Sequence, residues 1–133
     1  MPTNPSFFRR YATAIWLTYW VCLTGLLHWP KLPRLPIQIS KRGLVAHFTT
    51  FAILAGLCVF ARIASGGLTR KFVLQWTVIF LLFGALSETL QPLSNRHRDL
   101  ADFIANASGI LAMMGYAYAK YARSPVIVRP NSN

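Results

Sequence analysis

Four apolar runs, separated by polar or proline-rich segments, constrain the fold of this chain more than any other feature. They cover about residues 11–29, 44–64, 72–90 and 101–121. Each is close to the roughly twenty residues that an α-helix needs to cross the hydrocarbon core of a bilayer. Only 13% of the 133 residues are charged. The sequence therefore predicts an all-α fold, one membrane domain over residues 1–133 that forms a bundle of four transmembrane helices.

The segments between the runs carry residues that end helices. Pro30, Pro33 and Pro36 follow the first run, Ser65-Gly66-Gly67 follows the second, and Pro92 follows the third. The first run comes after two arginines, as in a signal peptide, but it has the length of a full span and no small-residue cleavage pattern. We interpret it as a retained first helix.

The net charge of +11 comes from cations that flank the apolar runs. This placement indicates anchors at the membrane surface, not a nucleic-acid-binding face. Because consecutive spans cross the membrane in opposite directions, eight cations share one membrane face: Arg9, Arg10, Arg62, Arg70, Lys71, Lys120, Arg123 and Arg129. Six lie on the other: Lys31, Arg34, Lys41, Arg42, Arg96 and Arg98. The positive-inside rule then predicts a multi-pass protein with both termini in the cytoplasm.

All three acids of the chain, Glu88, Asp99 and Asp102, fall within fifteen residues, where the third helix ends and the fourth begins. At about 100° per residue, Asp102, Asn106 and Gly109 share one helix face. The second helix also starts at this membrane face, near His47. We therefore expect one shallow pocket formed by His47, Glu88, Gln91, Arg96, Asp99, Asp102 and Asn106.

Acids near hydrocarbon usually indicate function. The alternative is that Glu88 and Asp102 only fasten the helix ends, by pairing with nearby arginines (Arg96 and Arg98). Taken as a group, however, the polar residues favour a ligand or reaction site. A metal site is not predicted, because one well-placed histidine and carboxylates beside arginines make a weak ligand set. No cofactor motif is present, and the two cysteines lie inside apolar runs.

The spacing Glu88-x2-Gln91-x4-Arg96-x5-Asp102-x3-Asn106-x2-Gly109, with His47-Phe48 upstream, resembles the VanZ-like family of small bacterial membrane proteins. That family usually has an Asp-Lys pair shortly before the histidine, whereas this chain has Gly43 and Leu44 there. The resemblance implies a bacterial inner-membrane protein with a site at the outer face, and a link to resistance against teicoplanin-type glycopeptides. It does not supply a reaction.

The leading hypothesis is a pocket that binds an anionic lipid headgroup or a cell-envelope precursor. Arg96, with Arg98 or Lys41, would meet the phosphate or carboxylate oxygens. The other ligand-binding candidates are Gln91, Asp99, Asp102, Asn106 and Glu88.

Two other hypotheses stay open. In a membrane-embedded transferase or hydrolase acting on a lipid phosphate or acyl substrate, the catalytic candidates are His47, Glu88 and Asp102. His47 or Glu88 would be the base, Asp102 its orienting partner and Arg96 the charge stabiliser. In a structural or assembly protein, the polar cluster would only lock the helices together. Homo-oligomerisation is open in all three cases.

The orientation is testable with a cysteine at Ser94, in the loop before the fourth helix. If both termini are cytoplasmic, this cysteine reacts with a membrane-impermeant thiol reagent in cells whose inner membrane is intact and whose outer envelope admits the reagent. Labelling that occurs only after the inner membrane is lysed would reverse the predicted orientation.

Overall fold

The computed structural model describes residues 5–28, 40–90 and 99–121. These residues form four α-helices: α1 (Pro5–His28), α2 (Ser40–Ala64), α3 (Arg70–Leu90) and α4 (Leu100–Tyr121). No strand occurs within the described ranges. The all-α prediction is confirmed for this part of the chain.

Two helices begin earlier than the apolar runs suggested. The first begins at Pro5, before Tyr11, and the second begins at Ser40, before Leu44. The added segments contain arginines and a lysine, which favour helices, and Pro5 lies in the first turn of α1, where proline is tolerated. His47 consequently lies about two turns after the start of α2, not in its first turn as the run boundaries implied.

Three helices are long and apolar enough to cross a membrane: Gly43–Ala64, Arg70–Leu90 and Leu100–Tyr121. Large apolar side chains on their outer surfaces, such as Val45 and Leu82, are well exposed. A surface of this kind suits contact with lipid chains rather than water. The protein is therefore a helical bundle of membrane type, and the role of α1 as a fourth span stays a prediction.

Polar residues and glycines set the helix ends between α2 and α3. Gly66 and Gly67 follow α2 with φ of 119° and 111°, a backbone region that glycine enters without strain. The Thr69 hydroxyl then accepts a hydrogen bond of 3.2 Å from the Phe72 amide, which caps the start of α3. This tight connection turns the chain back across the bundle.

The parallel pair α2 and α4 makes the most extensive helix contact of the bundle. Gly109 of α4 lies against the backbone of α2, so closely that a Cβ atom there would collide with the carbonyl oxygen of Phe48 and lie 3.1 Å from the Ala52 nitrogen. Further along both helices, Gly56 faces Met113. Small residues permit this approach in the absence of a hydrophobic driving force between helices.

Aromatic side chains join α1 to the rest of the bundle. Trp16 and Trp76 meet edge to face at a centroid distance of 5.0 Å, and Trp20 meets Phe80 at 5.4 Å. Such pairs contribute about 0.5–1.5 kcal/mol each beyond their buried area. The Tyr19 hydroxyl also donates a hydrogen bond of 3.0 Å to a backbone carbonyl of α2. These contacts hold α1 against both α2 and α3.

Two glycines of the bundle interior allow a matched test of this packing. Gly109→Ala should destabilise the protein by about 1–3 kcal/mol, because the added methyl group forces α4 away from the α2 backbone. Gly84→Ala should be tolerated, because a Cβ there meets its nearest atom, on the Phe51 ring, at an ordinary 3.6 Å. Thermal unfolding of both variants in one detergent measures the difference. Equal melting temperatures would show that α2 and α4 are not packed as described.

Candidate functional site

Four polar side chains meet at the end of the bundle where α2 and α4 begin and α3 ends. They are His47 from α2, Glu88 from α3, and Asp102 and Asn106 from α4. Asp102 and Asn106 lie one helical turn apart, so both face the neighbouring helices from the same side. The structure therefore brings together four of the seven residues expected to form a pocket.

Asn106 is the centre of this cluster and has no exposed surface. Its amide nitrogen donates a hydrogen bond of 3.2 Å to Oε1 of Glu88, and its amide oxygen lies 3.0 Å from Nδ1 of His47. Because an amide oxygen can only accept, this arrangement requires a proton on Nδ1 of His47. The orientation of the amide follows from the same network, since a rotated amide would place two oxygen atoms together. In a neutral imidazole, Nε2 then carries the lone pair.

Asp102 lies beside that second ring nitrogen. Its Oδ2 is 3.5 Å from Nε2 of His47, and the two side chains are 25% and 19% exposed. The contact is an ion pair when the imidazole is protonated, and otherwise it brings a carboxylate next to a lone pair. The enzyme hypothesis made Asp102 the group that orients His47, and the structure adds Asn106 as a second contact, on the other ring nitrogen.

Glu88 is buried, with 7% of its surface exposed. Its Oε2 is enclosed and has no hydrogen-bond partner within the described part of the chain, and the same holds for the hydroxyl of the adjacent Ser87. Leaving a buried polar atom without a partner costs about 1–3 kcal/mol, and more when the group is charged. The Glu88 carboxylate thus keeps one oxygen available inside the cluster.

Asp99 has a structural role that the sequence analysis missed. Its Oδ1 accepts a hydrogen bond of 2.8 Å from the Ala101 amide, and its side chain caps α4 at the start of the helix. An aspartate placed immediately before an apolar helical run is a recognisable start signal that could have revealed this role. The predicted contact between Asp99 and a ligand stays a prediction.

Two grooves flank the polar cluster. The first has a volume of about 320 Å³ and is lined by Ala85, Glu88, Thr89, Asp99, Leu100 and Phe103. The second has a volume of about 250 Å³ and is lined by Leu23, Leu26, Leu27, Ala46, His47 and Thr50. The hydrogen bonds through Asn106 therefore connect an acid in one groove to an imidazole in the other.

Three predicted ligand-binding residues, Gln91, Arg96 and Arg98, lie outside the described residues. The cations with described side chains lie far from the cluster. Arg70 precedes Glu88 by eighteen positions on α3, and Lys120 follows Asp102 by the same number on α4. At 1.5 Å per residue, each separation is roughly 27 Å. The three acids therefore lie at one end of the bundle, where α2 also begins with Lys41 and Arg42.

Comparison with known proteins gave no match to a family model, a curated protein or a solved structure. The resemblance to the VanZ-like family therefore rests on the residues themselves. Of its motif, His47, Glu88, Asp102 and Asn106 form the cluster, and Gly109 makes the close contact with α2.

The network predicts opposite effects for two buried polar residues. Asn106→Leu removes the partner of both Glu88 and His47 and should destabilise the protein by about 2–4 kcal/mol. Ser87→Ala removes a hydroxyl without a described partner and should leave stability unchanged or slightly raised. Denaturation in one detergent compares the two variants with the wild type. A stable Asn106→Leu variant would mean that the amide does not hold the cluster together.

Proposed function

We propose that this protein is a multi-pass protein of the bacterial inner membrane whose polar pocket binds an anionic lipid headgroup or a lipid-linked envelope precursor at the outer face. The orientation in this proposal follows from the predicted distribution of basic residues. The bacterial membrane and a link to teicoplanin-type glycopeptide resistance follow from the VanZ-like resemblance.

The observation that carries the proposal is the groove between α3 and α4. Leu100, Phe103 and Ala85 give it apolar walls, and Glu88 and Asp99 give it polar groups at the end of the bundle. A lipid has two matching parts: an acyl chain that needs an apolar surface, and a headgroup that needs polar partners. A groove of about 320 Å³ accommodates part of such a molecule, not all of it.

The acids of the pocket cannot contact a phosphate directly, because like charges repel. In this proposal they act on the ligand through arginine: Glu88 and Asp102 hold the guanidinium of Arg96, and Arg96 binds the headgroup oxygens. Guanidinium groups suit this role because their planar donors can pair with carboxylate and phosphate at once. Arg98 or Lys41 would supply further positive charge.

One observation favours an enzyme as the second candidate. The lone-pair nitrogen of a neutral His47 lies 3.5 Å from Asp102 and beside a groove, and its other nitrogen is held by Asn106. An imidazole oriented in this way suits a general base. In that case the protein would be a lipid phosphate or acyl transferase or hydrolase.

Lipid retention during purification tests the binding proposal. Native mass spectrometry of the protein released from a mild detergent should show a bound anionic lipid or precursor in the wild type. Arg96→Ala should reduce the bound fraction about tenfold, the effect of losing roughly 1.4 kcal/mol of binding free energy. Arg10→Ala is the matched control, because Arg10 is exposed at the opposite end of the bundle.

Equal lipid loss in both arginine variants, or in neither, would contradict the proposal. His47→Ala in the same series separates the enzyme from the binding protein. A binding protein keeps most of its lipid in this variant, whereas an enzyme accumulates unconverted substrate in the pocket. If both Arg96→Ala and His47→Ala fail to fold and the wild type retains no lipid, the cluster serves only to lock the helices.

A further inference from the structure

Three potential metal ligands converge at the polar cluster, one from each of α2, α3 and α4. His47, Glu88 and Asp102 each present a ligand atom within 4.8 Å of the other two. Nε2 of His47 and Oδ2 of Asp102 are separated by 3.5 Å. Two ligands on a tetrahedral zinc ion, with bonds of about 2.1 Å, lie about 3.4 Å apart. The histidine and the aspartate thus already have the spacing of ligands that share one ion.

The buried carboxylate of Glu88 is the second observation that indicates a cation. Its Oε2 is enclosed and lacks a hydrogen-bond partner among the described residues, while Asn106 already occupies Oε1. A carboxylate oxygen away from water needs a proton, a donor or a cation. Ligand atoms that are up to 4.8 Å apart need to approach one another by about 1.4 Å to reach the spacing of two ligands on one ion.

Asn106 provides the outer support that metal sites usually have. It receives the Nδ1 proton of His47, which leaves Nε2 as the nitrogen available to a metal, and it donates to Glu88. Metal-bound histidines almost always donate their other ring N–H to an oxygen, which fixes the tautomer and the ring orientation. Here one buried amide orients two of the three ligands.

Charge balance favours a divalent ion. Two carboxylates and a neutral imidazole carry a charge of −2, which a divalent cation neutralises. The mixture of one nitrogen and two oxygen ligands suits zinc or manganese better than calcium, which prefers oxygen ligands alone, or copper(I), which prefers sulfur.

We propose that His47, Glu88 and Asp102 bind one divalent transition-metal ion of the zinc or manganese class, with Asn106 as a positioning residue. Three protein ligands leave at least one coordination position for a water molecule or for an oxygen atom of a ligand. The residue types alone do not predict a metal site, because arginines near the acids are expected to compete for them. The metal proposal needs no bound lipid, but it uses Glu88 and Asp102, the same carboxylates that hold Arg96 in the lipid proposal.

The test uses the full chain in detergent, purified with a tag that contains no histidine and stripped with a chelator. Titration with Zn²⁺ and with Mn²⁺, followed by equilibrium dialysis and elemental analysis, should give one bound ion per chain and a higher melting temperature. Co²⁺ should give the visible absorption of a site with nitrogen and oxygen ligands. Binding weaker than the millimolar range for both ions, or no change in melting temperature, would overturn the proposal.

Variants separate this site from adventitious binding. Glu88→Gln keeps a group that can accept from Asn106 but removes a charged ligand, and it should weaken ion binding at least tenfold, as should His47→Ala. Asn106→Ala should weaken binding about 10–100-fold and alter the Co²⁺ spectrum, since it changes ligand orientation. His28→Ala is the matched histidine control, and it should bind one ion like the wild type. Unchanged binding in a folded Glu88→Gln variant would contradict the proposal.

Arg96→Ala distinguishes this inference from the proposed function. It should reduce the retained lipid while the ion stoichiometry stays at one per chain. A wild type that binds an ion without retaining lipid would disprove only the lipid proposal. A wild type that retains lipid but binds no ion would disprove only the metal site.

Discussion

The contact between Gly109 and the backbone of α2 determines the geometry on which the polar cluster depends. Because no side chain separates the two helices there, the start of α4 lies close enough for Asn106 to reach His47 at 3.0 Å. A larger residue at this point would move the amide away from the imidazole, since a hydrogen bond loses its strength within a few tenths of an ångström. The close packing of α2 against α4 and the assembly of the polar cluster therefore both depend on the absence of a Cβ atom at Gly109.

The sequence predicted those parts of the structure that follow from helical periodicity and from chain direction. Asp102, Asn106 and Gly109 were expected on one face, and Asn106 and Gly109 are both buried. Connectivity correctly brought the start of α2 and the end of α3 to the same end of the bundle. Helical periodicity could not show which neighbouring helix each helix face contacts.

Details that depend on helix rotation and on precise distances were not predictable. The apolar walls formed by Leu100 and Phe103 have no distinctive pattern, since any lipid-facing residue of α4 would look the same in sequence. The separation of the three potential metal ligands depends on the tilt of three helices. The residue types alone therefore indicated only a weak set of metal ligands. The cap formed by Asp99 is different, because a local pattern encodes it and an aspartate at a helix start can be read directly.

The single amide of Asn106 joins two grooves that open on different sides of the bundle. An amide has a donor end and an acceptor end, so the hydrogen-bond chain from Glu88 to His47 has a direction. Because Glu88 lines one groove and His47 lines the other, a ligand that contacts either side chain touches one end of this chain. The two surfaces are consequently joined by one directed chain of hydrogen bonds that runs through the interior of the bundle.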